Sequence, residues 1–126
     1  MINHKGECHC GKIRFMFKAP SITSLTICNC SICNVLGFQH VFVPHKNFTL
    51  LCGENFLKSY RFGSGKAEHM FCTECGVKAF YQPRSHPNKY SINFRCVKKG
   101  TLKIENTIEF DGKNWEKNIS SLKSKV

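Results

Sequence analysis

Apolar and polar positions alternate with a period of two through much of this chain. In KIRFMFK, Ile13, Phe15 and Phe17 interleave with Lys12, Arg14 and Met16, so one face can be buried while the other stays in water. Short runs of similar character follow in HVFVP, FTLL, SYRF, KAFYQ, YSINF and LKIENTIEF. Turn-forming residues separate them at HKGE, KAPS, LCGEN, FGSGK, PRSHPNK, KKG and FDGKN. Many short strands between such breaks predict a mainly β domain. Two segments break the pattern. In GKNWEKNISSLKSKV, Trp115, Ile119 and Leu122 recur at helical spacing, which predicts a short C-terminal helix. A shorter helix or turn is expected from Ser31 to Gly37. No internal repeat or linker interrupts the chain, so a single domain is expected over 1–121, with 122–126 as a frayed tail.

Composition adds a core and a compartment. The 126 residues include eleven phenylalanines spread along the chain, enough apolar mass for one core. No run approaches the roughly 20 apolar residues of a membrane helix, and MINHKGECHCG lacks an apolar signal core. A cytoplasmic or nuclear protein, with no membrane partner, is the expectation. Thiols stay reduced in those compartments, so nine cysteines read as metal ligands rather than disulfides.

The formal charge of +11 raises nucleic acid as a partner. Seven metal-bound thiolates and two Zn²⁺ would lower it to about +8. The lysines are scattered except in CVKKG and SLKSKV, with no basic arm or basic helix face. A solvated basic surface, or a pocket for a small anion, explains the charge more simply.

Seven of the cysteines fall into three clusters: Cys8 and Cys10 in ECHCG, Cys28, Cys30 and Cys33 in CNCSIC, and Cys72 and Cys75 in FCTECG. The C-x-x-C spacing of FCTECG lets two sulfurs converge on one ion, and Gly76 suits the tight turn behind them. A closed structural zinc takes four ligands. ECHCG supplies two more and carries Gly11 in the corresponding place, so Cys8, Cys10, Cys72 and Cys75 are expected to hold one zinc that closes a long loop. A redox C-x-x-C is disfavoured because no βαβ pattern surrounds it. Cys28, Cys30 and Cys33 then make a second site with three protein ligands. Three ligands and one open position is the arrangement of a catalytic zinc, able to take water or a substrate thiolate. Cys96, Cys52, His40 and His69 are the candidates for a fourth ligand that would instead close it. Of the two solitary cysteines, both expected to be core thiols, Cys96 is the better candidate to lie near the second site.

These three clusters, as CHCG, CNCSIC and FCTECG, resemble the family of glutathione-dependent formaldehyde-activating enzymes and centromere protein V. HVFVPHKNFTLLCGEN, YRFGSGKAEHMFCTECGVKAFYQPRSHP, RCVKKGT and FDGKNWEK look like the centromere protein V branch, and the likeness spans roughly residues 4 to 117. The resemblance implies an Mss4-like fold of folded-over antiparallel sheets and two zincs per chain. It places the structural zinc on Cys8, Cys10, Cys72 and Cys75 and the second on Cys28, Cys30 and Cys33. It further implies a carbon–sulfur lyase that joins glutathione to formaldehyde as S-hydroxymethylglutathione. That chemistry needs no carboxylate or histidine nucleophile, only a metal that lowers a thiol pKa and polarises a carbonyl. Two departures stand out. Arg95 occupies a place that is often histidine in the centromere protein V branch, and the long basic extension of that protein is absent, so its chromatin association does not transfer. A non-catalytic zinc-stabilised module that binds nucleic acid, and a thiol-based redox sensor, remain the competing readings.

Arg84, between two prolines in YQPRSHP, is a candidate for binding a glutathione carboxylate, or else only caps its loop or pairs with Glu74. His69 reads as a buried strand histidine, or else as a partner of the second site or a general acid. FGSGK lacks the spacing of a phosphate-binding loop and reads as a tight turn. Trp115 is expected to pack the C-terminal segment onto the sheet.

Overall fold

The computed structural model describes the backbone of residues 1–126 and every side chain but those of 124 and 125. Ten strands form three sheets. β1 (Ile2–Glu7), β2 (Arg14–Ala19) and β5 (Phe48–Cys52) make an antiparallel sheet with β2 in the centre. β3 (Ile22–Cys28), β4 (Gln39–Pro44), β8 (Phe80–Tyr81), β9 (Lys89–Asn93) and β10 (Lys103–Phe110) make a second, in the order β10-β3-β4-β9-β8. β6 (Leu57–Tyr60) and β7 (His69–Cys72) form a hairpin sheet. Every pairing is antiparallel except β3 with β10. The mainly β fold of antiparallel sheets is as expected, with that one parallel edge added. The edge arises because β10 returns along β3 after a long excursion of the chain, with Ile22 opposite Lys103 and Cys28 opposite Phe110.

The alternation in KIRFMFK is realised as expected: Ile13, Phe15 and Phe17 are all but fully buried. Phe15 and Phe48 of the three-stranded sheet meet Phe80 of the five-stranded sheet at ring-centroid distances of 5.7 and 4.7 Å. Tyr90 closes the cluster 4.8 Å from Phe48. Each such ring contributes about 1.5–3 kcal/mol by leaving water, and tilted or edge-on ring pairs add to that.

α1 (Ser31–Leu36) follows β3 directly, and Gly37 ends it at φ 63°, a left-handed conformation suited to glycine. α2 (Trp115–Lys125) is the C-terminal helix. It carries buried Leu122 past the boundary expected at residue 121, while the tail expectation for side chains 124 and 125 lies outside the described ones. Among the described residues no helix is long and apolar enough to cross a membrane.

Candidate metal centres and the cleft beside them

The first cysteine cluster joins two similar turns. After β1, Cys8 N–H donates to Ile13 O and Gly11 N–H to Cys8 O. After β7, Cys72 N–H donates to Val77 O and Gly76 N–H to Cys72 O. Gly11 and Gly76 both take positive φ, 77° and 76°. Each turn folds the chain back so that two sulfurs point the same way. Lys12 and Glu74 form an ion pair of 2.9 Å between the turns. The sulfurs of Cys8, Cys10, Cys72 and Cys75 all lie within 4.8 Å of one another. Cys10 Sγ is 3.6 Å from Cys8 Sγ and 3.7 Å from Cys72 Sγ. Those separations are far too long for a disulfide, at about 2.05 Å. They match the roughly 3.8 Å edge of a sulfur tetrahedron about 2.3 Å from a central Zn²⁺. These four residues therefore form a group that could hold a metal ion.

The second cluster is built locally. Cys28 ends β3, Cys30 is the residue before α1, and Cys33 lies in its first turn and is buried. The passage from extended strand to helix curls the chain tightly enough to bring the three sulfurs within 4.8 Å of one another. Hydrogen bonds from the Cys28 and Cys33 thiols, with backbone N–H groups of Cys33 and Ile32, pull Cys30 down to about 2. Hydrogen bonding to Cys28 and Cys30 raises Cys33, with burial adding to the rise. A divalent cation would allow all three to ionise.

A strap from the other end of the chain braces this cluster. Asn29 donates to Asp111 Oδ1 and accepts from the Lys113 N–H, both at 3.0 Å. Gly112, between them, lies so close that a Cβ there would collide with Cys28 Sγ and come 2.9 Å from Cys30 Cβ. FDGKN thus serves as more than a turn. Sequence reasoning missed this because the contact spans some eighty residues and glycine has no side chain to signal it.

The three cysteines open onto a cleft of about 440 Å³. The cleft floor carries His40 and Tyr81, and its rim carries Phe62, Arg84 and Trp115. His69 also lines it, stacked between Phe62 and Tyr81 at 5.4 and 5.0 Å. Behind His69 stands Lys78, a buried lysine that the sequence reading did not single out. Its Nζ donates to His69 Nδ1 at 2.6 Å and lies 3.7 Å from the Tyr81 ring centroid and 5.1 Å from that of Phe38. Accepting at Nδ1 leaves the neutral His69 ring with its proton on Nε2. Burial lowers Lys78 to about 8, while the charges of Cys33 and Cys30 resist that fall. The ammonium is therefore the local counter-charge to the cysteine trio. Burial, with Lys78 assisting, lowers His40 to about 3 and His69 to about 4, so both are neutral at ordinary pH.

The candidate fourth ligands are now placed. His40 and His69 line the same cleft, but neither belongs to the group of mutually close ligand atoms. Cys52 is exposed rather than a core thiol, with its Sγ 3.5 Å from Lys12 O. Cys96 sits beside the other cluster: burial raises it to about 11, with the charges of Cys8 and Cys75 adding to the rise. Its expected proximity to the second site is therefore corrected, since the 3-10 turn Phe94–Cys96 leads into Val97, which bridges to Gly6 on β1. Arg84 donates to Glu116 at 2.6 Å and lies 3.7 Å above Trp115, so the alternative pairing with Glu74 is not made. Trp115 is only partly buried and forms the cleft rim together with Arg84. The FGSGK segment is a tight turn, closed by Gly65 N–H to Phe62 O at 3.0 Å.

Comparison with known proteins agrees with this geometry. The family model described as glutathione-dependent formaldehyde-activating enzyme matches residues 3–118. A crystal structure of a Rhodobacter sphaeroides protein, a structural-genomics target, is similar at 26% identity with a TM-score of 0.72. The similarity covers 82% of this chain and 99% of that one.

Proposed function

Because this chain belongs to the glutathione-dependent formaldehyde-activating enzyme family, we propose that it is a zinc-binding carbon–sulfur lyase. Its substrate is the adduct of a small thiol, with glutathione as the type, and formaldehyde or a related aldehyde. The observation that carries the reading is the contrast between the clusters: three cysteines face a cleft large enough for a ligand, while four close on themselves away from it.

In the forward direction a thiolate sulfur attacks the carbonyl carbon. A C–S bond forms, the C=O π pair moves to oxygen, and that oxygen takes a proton, giving S–CH₂–OH; cleavage is the reverse. Zn²⁺ at Cys28, Cys30 and Cys33 would supply a lowered thiol pKa and a polarised carbonyl. The chain's own residues supply the surroundings. Lys78 offsets the negative charge of the trio, and the Nε2–H of His69 offers a donor at the cleft wall. The rings of Phe62, Tyr81 and Trp115 give the cleft apolar walls. Arg84, at the rim, is placed to exchange Glu116, which is 78% exposed, for a carboxylate of the thiol.

The test is exchange between ¹³C-formaldehyde and its glutathione adduct, followed by NMR with and without protein. Wild-type protein should accelerate exchange above the spontaneous rate, and Cys30→Ser should remove the acceleration while keeping the fold. No acceleration by fully zinc-loaded wild-type protein would refute the proposal.

A further inference from the structure

Two polar atoms of residues that line the cleft, Thr26 Oγ1 and His40 Nε2, are buried and have no hydrogen-bond partner among the described residues. Each residue is 2% exposed, and both line the cleft. Thr26 and His40 face each other in register across β3 and β4, so their side chains stand together on one face. Thr26 is two residues before Cys28 on the same strand, and that spacing brings its hydroxyl to the face that carries Cys28.

His40 cannot readily turn to find another partner. Its Nδ1 is 2.8 Å from Ser91 Oγ and 3.4 Å from Tyr81 OH. Its ring lies 4.6 Å from Phe38 and is stacked on Phe42 at 5.8 Å. Nε2 is the nitrogen left over, and it is held in place. Buried polar groups in folded proteins nearly always find a partner, and orphans beside a reactive centre mark a place kept for a ligand.

Together a threonine hydroxyl and an imidazole nitrogen can donate one hydrogen bond and accept another. That combination fits a single oxygen substituent that is a carbonyl on one side of a reaction and a hydroxyl on the other. We propose that Thr26 and His40 form an oxygen-binding subsite that takes the hydroxymethyl oxygen of the thiol–aldehyde adduct. This rests on the function proposed above. In addition the subsite holds the oxygen that gains the π pair and a proton. In cleavage it holds the hydroxyl that gives up its proton as the C–S pair returns to sulfur. It selects for adducts that carry oxygen one carbon from the sulfur and against simple thioethers of the same size.

The experiment compares zinc-loaded wild-type protein with the isosteric Thr26→Val and the conservative Thr26→Ser. Calorimetry measures binding of S-hydroxymethylglutathione, kept formed by excess formaldehyde, and of S-methylglutathione, with formaldehyde alone as control. Wild-type protein should prefer the oxygenated ligand by about tenfold, the worth of one or two hydrogen bonds. Thr26→Val should abolish the preference, and Thr26→Ser should keep it. Without ligand, Thr26→Val should melt higher than wild type, because it removes an unsatisfied buried hydroxyl. A lower melting point would show that the hydroxyl has a partner within the fold and overturn the subsite. So would an unchanged preference in Thr26→Val, or equal binding of both ligands by wild type, with the proposed function left standing. If wild-type protein binds neither ligand, the proposed function fails and the subsite's assigned occupant fails with it.

Discussion

The two cysteine clusters use the same donor atom for opposite ends. In the four-cysteine cluster the ligands come from two turns 62 residues apart, Cys8 and Cys72 are buried, and the lining of the cleft includes none of the four. A metal there ties the β1–β2 hairpin to the β6–β7 hairpin and closes a long loop. In the three-cysteine cluster the ligands span six residues, so a metal there closes almost nothing, and one side opens to the cleft. Loop closure would make a metal at the first a stabiliser, and under the proposed function an incomplete shell would make the second the reactive centre.

The largest effect that would break or sharpen this contrast is loss of fold on removing a ligand from the closed cluster. Cys72→Ser should abolish the cooperative thermal transition and the native circular dichroism. A folded Cys72→Ser protein retaining two zincs would erase the distinction. Cys30→Ser should leave one zinc per chain by metal analysis and shift the melting temperature little. Unfolding of that variant would make the trio structural as well.

Gly112→Ala tests the strap. The added methyl meets Cys28 and Cys30, so metal affinity at the trio should fall about 10–100-fold, as for lost support around a metal site. The four-cysteine metal should be unaffected in competition with a chelator. Lys78→Met removes the buried counter-charge. Zinc retention at the trio should drop about tenfold, while the fold loses little, because a well-packed apolar side chain replaces a costly buried ammonium. The smallest effect is in pH. His40, His69 and His86 are pushed below their ordinary 6.5, His86 to about 4, with burial the first cause in each. The unfolded chain therefore binds more protons than the folded one between about pH 6.5 and 4. Their stabilising effect is complete above about 6.5 and declines as pH falls through that window. Melting temperatures of the zinc-loaded protein at pH 7.5 and 5 should show the fall, and His86→Phe should shrink it.

Reading the chain by periodicity found the strands with apolar alternation and missed those without it. HKGE, expected as a break, instead lies within β1, which buries His4 and Gly6 rather than large apolar residues. His4 is satisfied by Thr101 Oγ1 and the carbonyls of Ala19 and Pro20, and Gly6 makes room for the Phe15 ring. β3 buries Leu25 and Thr26 side by side, one of them polar, which hides its two-residue period. The seven cysteines of the two groups that could hold a metal were legible because spacing within a turn is a local property. Cys96 was misplaced because nothing local says which cluster a solitary cysteine approaches.

The order of residues alone determined that the sulfurs would gather in pairs and a trio, since a C-x-C, C-x-x-C or C-x-C-x-x-C turn brings its own thiols together wherever it lies. It also determined which face of KIRFMFK enters the core. Only the tertiary structure decided that Lys78 and Gly112 attend the trio and that Thr26 Oγ1 and His40 Nε2, on two residues that line the cleft, are left without partners among the described residues. Those relations join elements that meet through sheet pairing and packing, and long-range packing leaves no period or spacing in the residues it brings into contact.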